Sequence, residues 1–187
     1  HIPDAAFTIH PDNAAVIESV TMGADVQEPF IDVVAQGKND MTVDGTWEDL
    51  GVPYRLFGDI SFEAELIVTA GTRLLIAPDQ RFFVTGGGSI KTQGTVDDPV
   101  VIESANQDGR PGDWRHFGIR PEAASDTTFS HTTIAHGGGG GHGAIDLYSG
   151  SEVTFDNVAF SDNQDCDVDG DGSATVNISQ APFVSCE

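Results

Sequence analysis

An aspartate-rich segment carries the clearest chemical pattern in the sequence. It reads Asp-Cys-Asp-Val-Asp-Gly-Asp-Gly over 165–172. Alternating acidic side chains around a glycine turn supply the oxygen ligands that Ca²⁺ prefers. An EF-hand is not indicated, because position 12 of such a loop holds Val176 or Ile178 instead of Glu. The pattern predicts either a solvated acidic turn or a looser Ca²⁺ site. The ligands of that site would be Asp165, Asp167, Asp169 and Asp171.

Histidines form a second group that could bind a metal. His131, His136 and His142 fall close together in the sequence, and His116 lies upstream. Imidazole nitrogens suit Zn²⁺ and Cu²⁺. However, His142 follows a run of five glycines, which is a poor way to fix ligand geometry. We therefore expect structural roles for these histidines, with a transition-metal site as the alternative.

The charge balance excludes two classes of partner. The 187 residues include 30 acidic and 8 basic side chains, giving a net charge of −22. A chain with so few cations offers no basic face for a phosphate backbone, and none for an anionic membrane surface. No apolar run approaches the roughly 20 residues of a membrane span. We therefore expect no nucleic-acid partner and no membrane-spanning segment.

Two cysteines, Cys166 and Cys186, lie near each other in the sequence. An even, locally paired count in an acidic, lysine-poor chain predicts a disulfide and an oxidising compartment; two buried thiols are the alternative. We therefore expect a secreted or cell-surface location. Asn177-Ile178-Ser179 is a sequon, so Asn177 is a candidate glycosylation site.

Short apolar stretches separated by Gly, Asp, Asn and Ser fill most of the chain after residue 60. Leu66, Leu74, Phe82 and Ile90 recur at intervals of eight residues. The links are too short for helical crossovers, and no helical periodicity is present. This pattern predicts an all-β solenoid with two or three short strands in every coil. Strand alternation points a set of apolar side chains inward. These are Leu66, Val68, Leu74, Ile76, Val100, Ile102, Phe117, Ile119, Val153, Phe155, Val158 and Phe160.

Several stretches of the chain resemble right-handed parallel β-helix proteins of the bacterial secreted or outer-surface, lipoprotein-like type. They are Trp47–Tyr54, Leu66–Ile76, Gly88–Thr95, Asp98–Ser104, Gly112–Ile119 and Phe129–Gly138. The resemblance covers about residues 45–165 and implies a right-handed parallel β-helix. It implies strand and corner positions for His131 and His136. It implies no activity, because that family has no shared catalytic motif.

The resemblance and the strand pattern together suggest three segments. Residues 1–45 would form an N-terminal cap or a subunit-docking segment, and 46–165 the parallel β-helix. Residues 166–187 would form a C-terminal cap closed by the disulfide. At about 20–25 residues per coil, we expect about five to six coils.

Three functions remain open at this stage. We expect a non-catalytic extracellular or cell-surface structural protein, which could assemble end to end with itself. The first alternative is a module that binds a surface glycan or partner, for which Trp114 is a candidate stacking residue, although core packing is expected for it. The second is a polysaccharide lyase or hydrolase of the β-helix type. Its candidate residues would be Arg110, Arg115, Arg120, Asp108 and Asp113.

Overall fold

The computed structural model describes residues 7–21, 29–35 and 40–186. In this part of the chain, short parallel strands stack into a β-solenoid of about seven turns. The predicted all-β parallel β-helix is therefore confirmed. A four-residue helix, α1 (Pro11–Ala14), packs against the first turns.

The strands fall into three rows, and each complete turn contributes one strand to every row. Row A contains β4 (Gly45–Trp47), β7 (Glu65–Thr69), β10 (Ser89–Gln93), the first parts of β13 (Thr128–Ala135) and β15 (Glu152–Ser161), and β17 (Thr175–Ser179). Row B contains β1 (Phe7–Ile9), β2 (Ile31–Val34), β5 (Tyr54–Phe57), β8 (Arg73–Ile76), β11 (Val100–Ser104), and the second parts of β13 and β15. Row C contains β3 (Asp40–Met41), β6 (Ile60–Phe62), β9 (Phe82–Val84), β12 (Phe117–Ile119), β14 (Ile145–Leu147) and β16 (Val168–Gly170).

Strands β13 and β15 belong to two rows because each of them bends once. His131 and Asn157, at the two bends, have positive φ values of 44° and 54°. One turn earlier the chain has Gly94 beside this corner, where a Cβ atom would lie 2.1 Å from the carbonyl oxygen of His131. Because that space is filled by backbone, a residue without a side chain is required there. His131 is thus a corner residue.

Alternation along the strands builds the core. The pattern of β7, in which Leu66 and Val68 are buried between half-buried neighbours, is typical of the longer strands. All of the residues predicted to point inward do so, and Phe160 is only partly buried at the edge of the core.

Aromatic rings form a continuous column along the axis of the solenoid. The rings of Phe82 and Phe117 have centroids 5.0 Å apart. Phe129 continues the column 6.3 Å from Phe117, and Phe155 lies 5.9 Å beyond Phe129. Aromatic pairs at such distances stabilise by about 0.5–1.5 kcal/mol beyond their buried area. Consecutive turns are thereby coupled through side chains as well as through backbone hydrogen bonds.

The solenoid is longer than the sequence suggested. We expected about five to six coils from about residue 60 to the end, and the structure has about seven turns. The difference arises because the described parts of 1–45 contribute β1, β2 and β3, which pair in parallel with the following strands. Beyond residue 165, β16 and β17 likewise continue rows C and A. The boundaries at 45 and 165 therefore do not mark the ends of the solenoid.

The last described residues fold back onto the final turn. Ser185 forms a parallel bridge with Val168, and Phe183 packs against Phe155. The predicted disulfide between Cys166 and Cys186 is confirmed, with Cα atoms 5.3 Å apart. Among the described residues, no helix is long and apolar enough to cross a membrane.

The aromatic column predicts that Phe129→Ala lowers the free energy of unfolding by about 3–5 kcal/mol, the usual cost of deleting a buried ring. Phe129 is fully buried, whereas Val96 is 82% exposed, so Val96→Ala serves as the control and should change stability by less than about 0.5 kcal/mol. Urea unfolding followed by circular dichroism measures both. Equal stabilities for the two variants would contradict the role of the column.

Candidate metal centre

Row C presents a column of outward-facing residues. The middle residue of each three-residue strand points away from the core, because its two neighbours point into it. Parallel pairing places Phe83, Gly118, Asp146 and Asp169 in register on consecutive turns. Two carboxylates therefore lie side by side, next to a position that has no side chain.

Two histidines converge on Asp146. His116 immediately precedes β12 and His142 lies shortly before β14, and their ring centroids are 4.6 Å apart. Nδ1 of His142 lies 3.2 Å from Oδ2 of Asp146, and Nε2 of His116 lies 3.9 Å from the same oxygen. One ligand atom from each of these residues lies within 4.8 Å of the other two. No other three His, Cys, Asp or Glu side chains in the described ranges come as close.

These separations match what a small tetrahedral ion requires. With bonds of about 2.0–2.1 Å, the ligand atoms around Zn²⁺ lie about 3.3 Å apart. The observed 3.2 Å and 3.9 Å separations lie near that value, and the ligand nitrogens of the two histidines lie within 4.8 Å of each other. Two imidazoles and a carboxylate are a donor set that suits Zn²⁺, whereas Ca²⁺ and Mg²⁺ prefer oxygen alone.

His116 is the most unusual member of the group. Its side chain is buried, with 2% of the residue exposed, and neither ring nitrogen has a hydrogen-bond partner among the described residues. The ring of Phe83 packs edge-on against it at 5.7 Å. Burial, and then the neighbouring charges of His142, Arg81 and Arg115, lower the pKa of His116 to about 4. The imidazole is therefore neutral at pH 7 and has a free lone pair, as a metal ligand must.

Asp146 lies in an environment that disfavours its charged form. Burial raises the pKa of its carboxyl group, the charge of Asp169 raises it further, and the charge of His142 opposes both effects. Oδ2 of Asp169 lies 4.0 Å from Nδ1 of His142, which makes Asp169 a candidate fourth ligand. A divalent cation at this point would offset the repulsion between the carboxylates and give His116 a partner. The residues present thus fit a transition metal.

A cleft of about 530 Å³ opens beside the group, and His142, Asp146 and Asp169 line it together with Arg120 and Tyr148. The guanidinium of Arg120 lies over the rings of Phe83 and Tyr148, 4.4 Å and 4.7 Å from their centroids. Gly118 makes this arrangement possible. A Cβ atom on Gly118 would lie 2.7 Å from Cδ1 of Phe83 and 3.2 Å from Cε2 of Tyr148.

The aspartates predicted to bind Ca²⁺ are dispersed. Both carboxylate oxygens of Asp167 accept hydrogen bonds, from the side-chain amide of Asn163 at 2.9 Å and from the backbone N–H of Val184 at 2.7 Å. Asp165 and Asp171 are exposed, and Asp169 lies beside His142. The four side chains do not form a compact ligand group in the structure. Ca²⁺ binding by them stays a prediction.

The structure brings together only half of the histidine group. His116 and His142 meet, whereas His131 occupies a corner and His136 packs beside Gly109. Trp114 is fully buried, and its indole N–H donates to the carbonyl of Ala135 at 2.8 Å. Trp114 is therefore a core-packing residue, and the alternative of ligand stacking is wrong because no ring face is accessible.

The remaining candidate residues lie apart from the group. Asn177 is exposed on β17 and donates to Glu152 at 2.9 Å, and its glycosylation stays a prediction. Arg110, Arg115 and Asp108 are exposed. Asp113 accepts hydrogen bonds that organise its own loop; the donors are Ser104, Asn106 and the backbone N–H of Arg110. Of the lyase candidates, Arg120 alone lines the cleft beside the metal ligands.

Asp146 is the ligand that sequence reasoning missed. The strands Phe-Gly-Ile over 117–119 and Ile-Asp-Leu over 145–147 were both recognisable in the sequence. Aligning them in register would have placed Gly118 beside Asp146, and the histidines just before each strand on the same face. The site could therefore have been found from the sequence only by aligning successive coils, because its residues are distant from one another along the chain.

No family model, curated protein or solved structure matches the chain. The structure shows the parallel β-solenoid, and the bacterial secreted, lipoprotein-like type stays a prediction.

Burial of His116 predicts a pH dependence of stability in protein stripped of metal. The folded-state pKa of about 4 lies below the unfolded value of 6.5, so the unfolded chain binds more protons between these values. The contribution of His116 to the free energy of unfolding should be fully present above pH 6.5. It should be lost as the pH falls toward 4, which lowers the free energy of unfolding by at most about 3 kcal/mol. Urea unfolding at several pH values measures this.

The matched variant is His116→Gln, which keeps a polar side chain of similar size but does not titrate. Its stability should depend less on pH between 6.5 and 4 than that of the wild type, because the contribution of His116 is gone. Some dependence will remain, because other titrating groups, including Asp146, are present in both proteins. Identical pH profiles for the wild type and the variant would rule out His116 as the cause.

Proposed function

We propose that the protein is a non-catalytic, extracellular β-solenoid that binds one divalent transition metal, with Zn²⁺ the preferred ion, through His116, His142 and Asp146. The observation that carries the proposal is His116, whose two buried nitrogens lack partners although one of them faces Asp146 at 3.9 Å. A buried polar group without a partner costs about 1–3 kcal/mol, so such groups are rare unless something else binds them.

The positions of the ligands support a specific site. Asp146 lies within β14, and His116 immediately precedes β12, so regular backbone pairing fixes both of them. Ligands on regular elements are held more precisely than ligands on loops. The disulfide supports the extracellular part of the proposal, since disulfides persist in oxidising compartments.

Metal binding is tested by titrating chelator-treated protein with Zn²⁺ in a calorimeter. We expect one ion per chain, and an increase in unfolding free energy of about 2.7 kcal/mol when free Zn²⁺ is 100 times the Kd. His142→Ala and Asp146→Asn each remove a ligand. Each should weaken binding by more than the roughly 10- to 100-fold that loss of an outer-shell partner costs.

Two variants serve as controls for this titration. His131→Asn removes a corner histidine while keeping a residue that tolerates positive φ, and Asp165→Asn removes one of the dispersed aspartates. Both should bind Zn²⁺ as the wild type does. Loss of binding in either control with retention in Asp146→Asn would place the ion elsewhere and overturn the assignment.

End-to-end assembly is a second candidate function, and the exposed edge of β17 favours it. β17 pairs with β15 on one side, and no described strand lies on its other side. Ile178 on this strand is 54% exposed. An unpaired strand edge is a template for another chain, and we propose a second copy of this protein as the occupant.

Assembly of this kind should depend on Ile178. Ile178→Asp adds a charge beside the open edge and should shift wild-type oligomers toward monomers in light scattering and electron microscopy. Val96→Asp is the matched control, since Val96 is exposed in the turn between β10 and β11. A wild-type protein that stays monomeric at high concentration would exclude assembly through this edge.

A further inference from the structure

Arg120 differs from the other half-buried or buried cations of the described chain. Arg55 is paired with Asp32 at 2.7 Å, and Lys91 contacts both Glu65 and Asp126. Arg120 is half-buried, and its guanidinium forms no hydrogen bond or ion pair with any residue that the structure describes. In a chain with 30 acidic residues, an Arg that shares a cleft with Asp146 but forms no ion pair with any described carboxylate requires an explanation.

Aromatic packing explains how Arg120 is held. Its guanidinium lies over the rings of Phe83 and Tyr148, and these cation–π contacts hold the group beside the cleft. Contacts of this kind do not use the N–H groups of a guanidinium as hydrogen-bond donors. Arg120 thus carries N–H donors with no acceptor from the described chain.

The free donor and the metal ligands share one cleft. Arg120, His142, Asp146 and Asp169 all line the same opening of about 530 Å³. Glu122 and Asp171 also line it, and both are exposed to solvent, where their charges are screened. A divalent ion would offset the charges of Asp146 and Asp169, which leaves Arg120 as the uncompensated charge in the inner part of the cleft.

The ligand set leaves room for an external group. Three side chains lie within 4.8 Å of one another, and Asp169, the candidate fourth ligand, comes within 4.0 Å of His142 only. A site with three protein ligands keeps an exchangeable position for water or a bound molecule. That position would face the cleft, because the opposite side of the ligand group is the buried ring of His116.

We infer that the centre binds a small organic acid, whose carboxylate occupies the exchangeable position of the metal while Arg120 donates hydrogen bonds to the acid. A planar carboxylate matches the fork of a guanidinium and is also a good ligand for Zn²⁺. This inference rests on the proposed metal site and adds the chemical class of its ligand.

The test uses the full chain loaded with Co²⁺, whose visible absorption reports its coordination. Acetate is the probe, and acetamide, which has the same shape without the charge, is the control ligand. We expect acetate to change the spectrum in a saturable way and acetamide to leave it unchanged. Inorganic phosphate is titrated in parallel to identify the class of anion.

The variant Arg120→Gln distinguishes the contribution of the guanidinium to acetate binding from the contribution of the metal. Loss of a charge-assisted hydrogen bond should weaken acetate binding roughly 10- to 100-fold, while the Kd for Co²⁺ stays within about twofold of the wild type. Arg115→Gln is the matched control, since Arg115 is exposed and does not line the cleft. It should bind acetate as the wild type does.

The outcomes separate the two proposals. Absence of Co²⁺ and Zn²⁺ binding would overturn the metal site itself. Tight metal binding with no spectral response to acetate, or with equal responses to acetate and acetamide, would overturn only the organic-acid ligand. A stronger response to phosphate than to acetate would overturn the assignment of a carboxylate and identify the ligand as a phosphate instead. An unchanged acetate affinity in Arg120→Gln would remove Arg120 from the site.

Discussion

Every described strand of this solenoid pairs in register with a strand one turn away, so in the interior turns a strand residue has a fixed neighbour above and below it. Phe82, Phe117 and Ile145 illustrate the consequence on the inner side of row C, where apolar residues of successive turns pack directly on one another. A similar column of rings links Phe117 to Phe129. The core is therefore a set of parallel columns, and its stability depends on contacts between adjacent turns.

The same register creates a problem on the outer side, since it places like charges next to each other in an acidic chain. Elsewhere the sequence offsets this with cations on neighbouring turns, as between Arg55 and Asp32 and between Arg73 and Glu103. Asp146 and Asp169 are in register and have His116 and His142 beside them instead. This departure from the general pattern distinguishes the metal centre from the rest of the acidic surface.

The sequence was sufficient for the fold because the relevant signals are local. Alternation in stretches such as 65–69 and the spacing of Leu66, Leu74 and Phe82 are visible within a few residues. The early turns were missed because β1 and β2 are short and widely separated. The metal centre was only half visible, since its ligands come from different turns and require the register. The Ca²⁺ site was predicted at 165–171 because the aspartates are neighbours in sequence, yet their side chains lie apart in the structure.

The centre combines rigid and adjustable ligands in a way that follows from the solenoid. His116, Asp146 and Asp169 come from three consecutive turns, and the paired strands fix their relative positions. His142 follows the glycine run at 137–141, where Gly138, Gly140 and Gly141 have positive φ, so its backbone is the least constrained of the four. An ion held by His116, His142 and Asp146 would link two consecutive turns through side chains as well as through backbone pairing. Because the stability of a solenoid is nearly a sum of nearest-neighbour terms, such a link would strengthen the interface between these two turns.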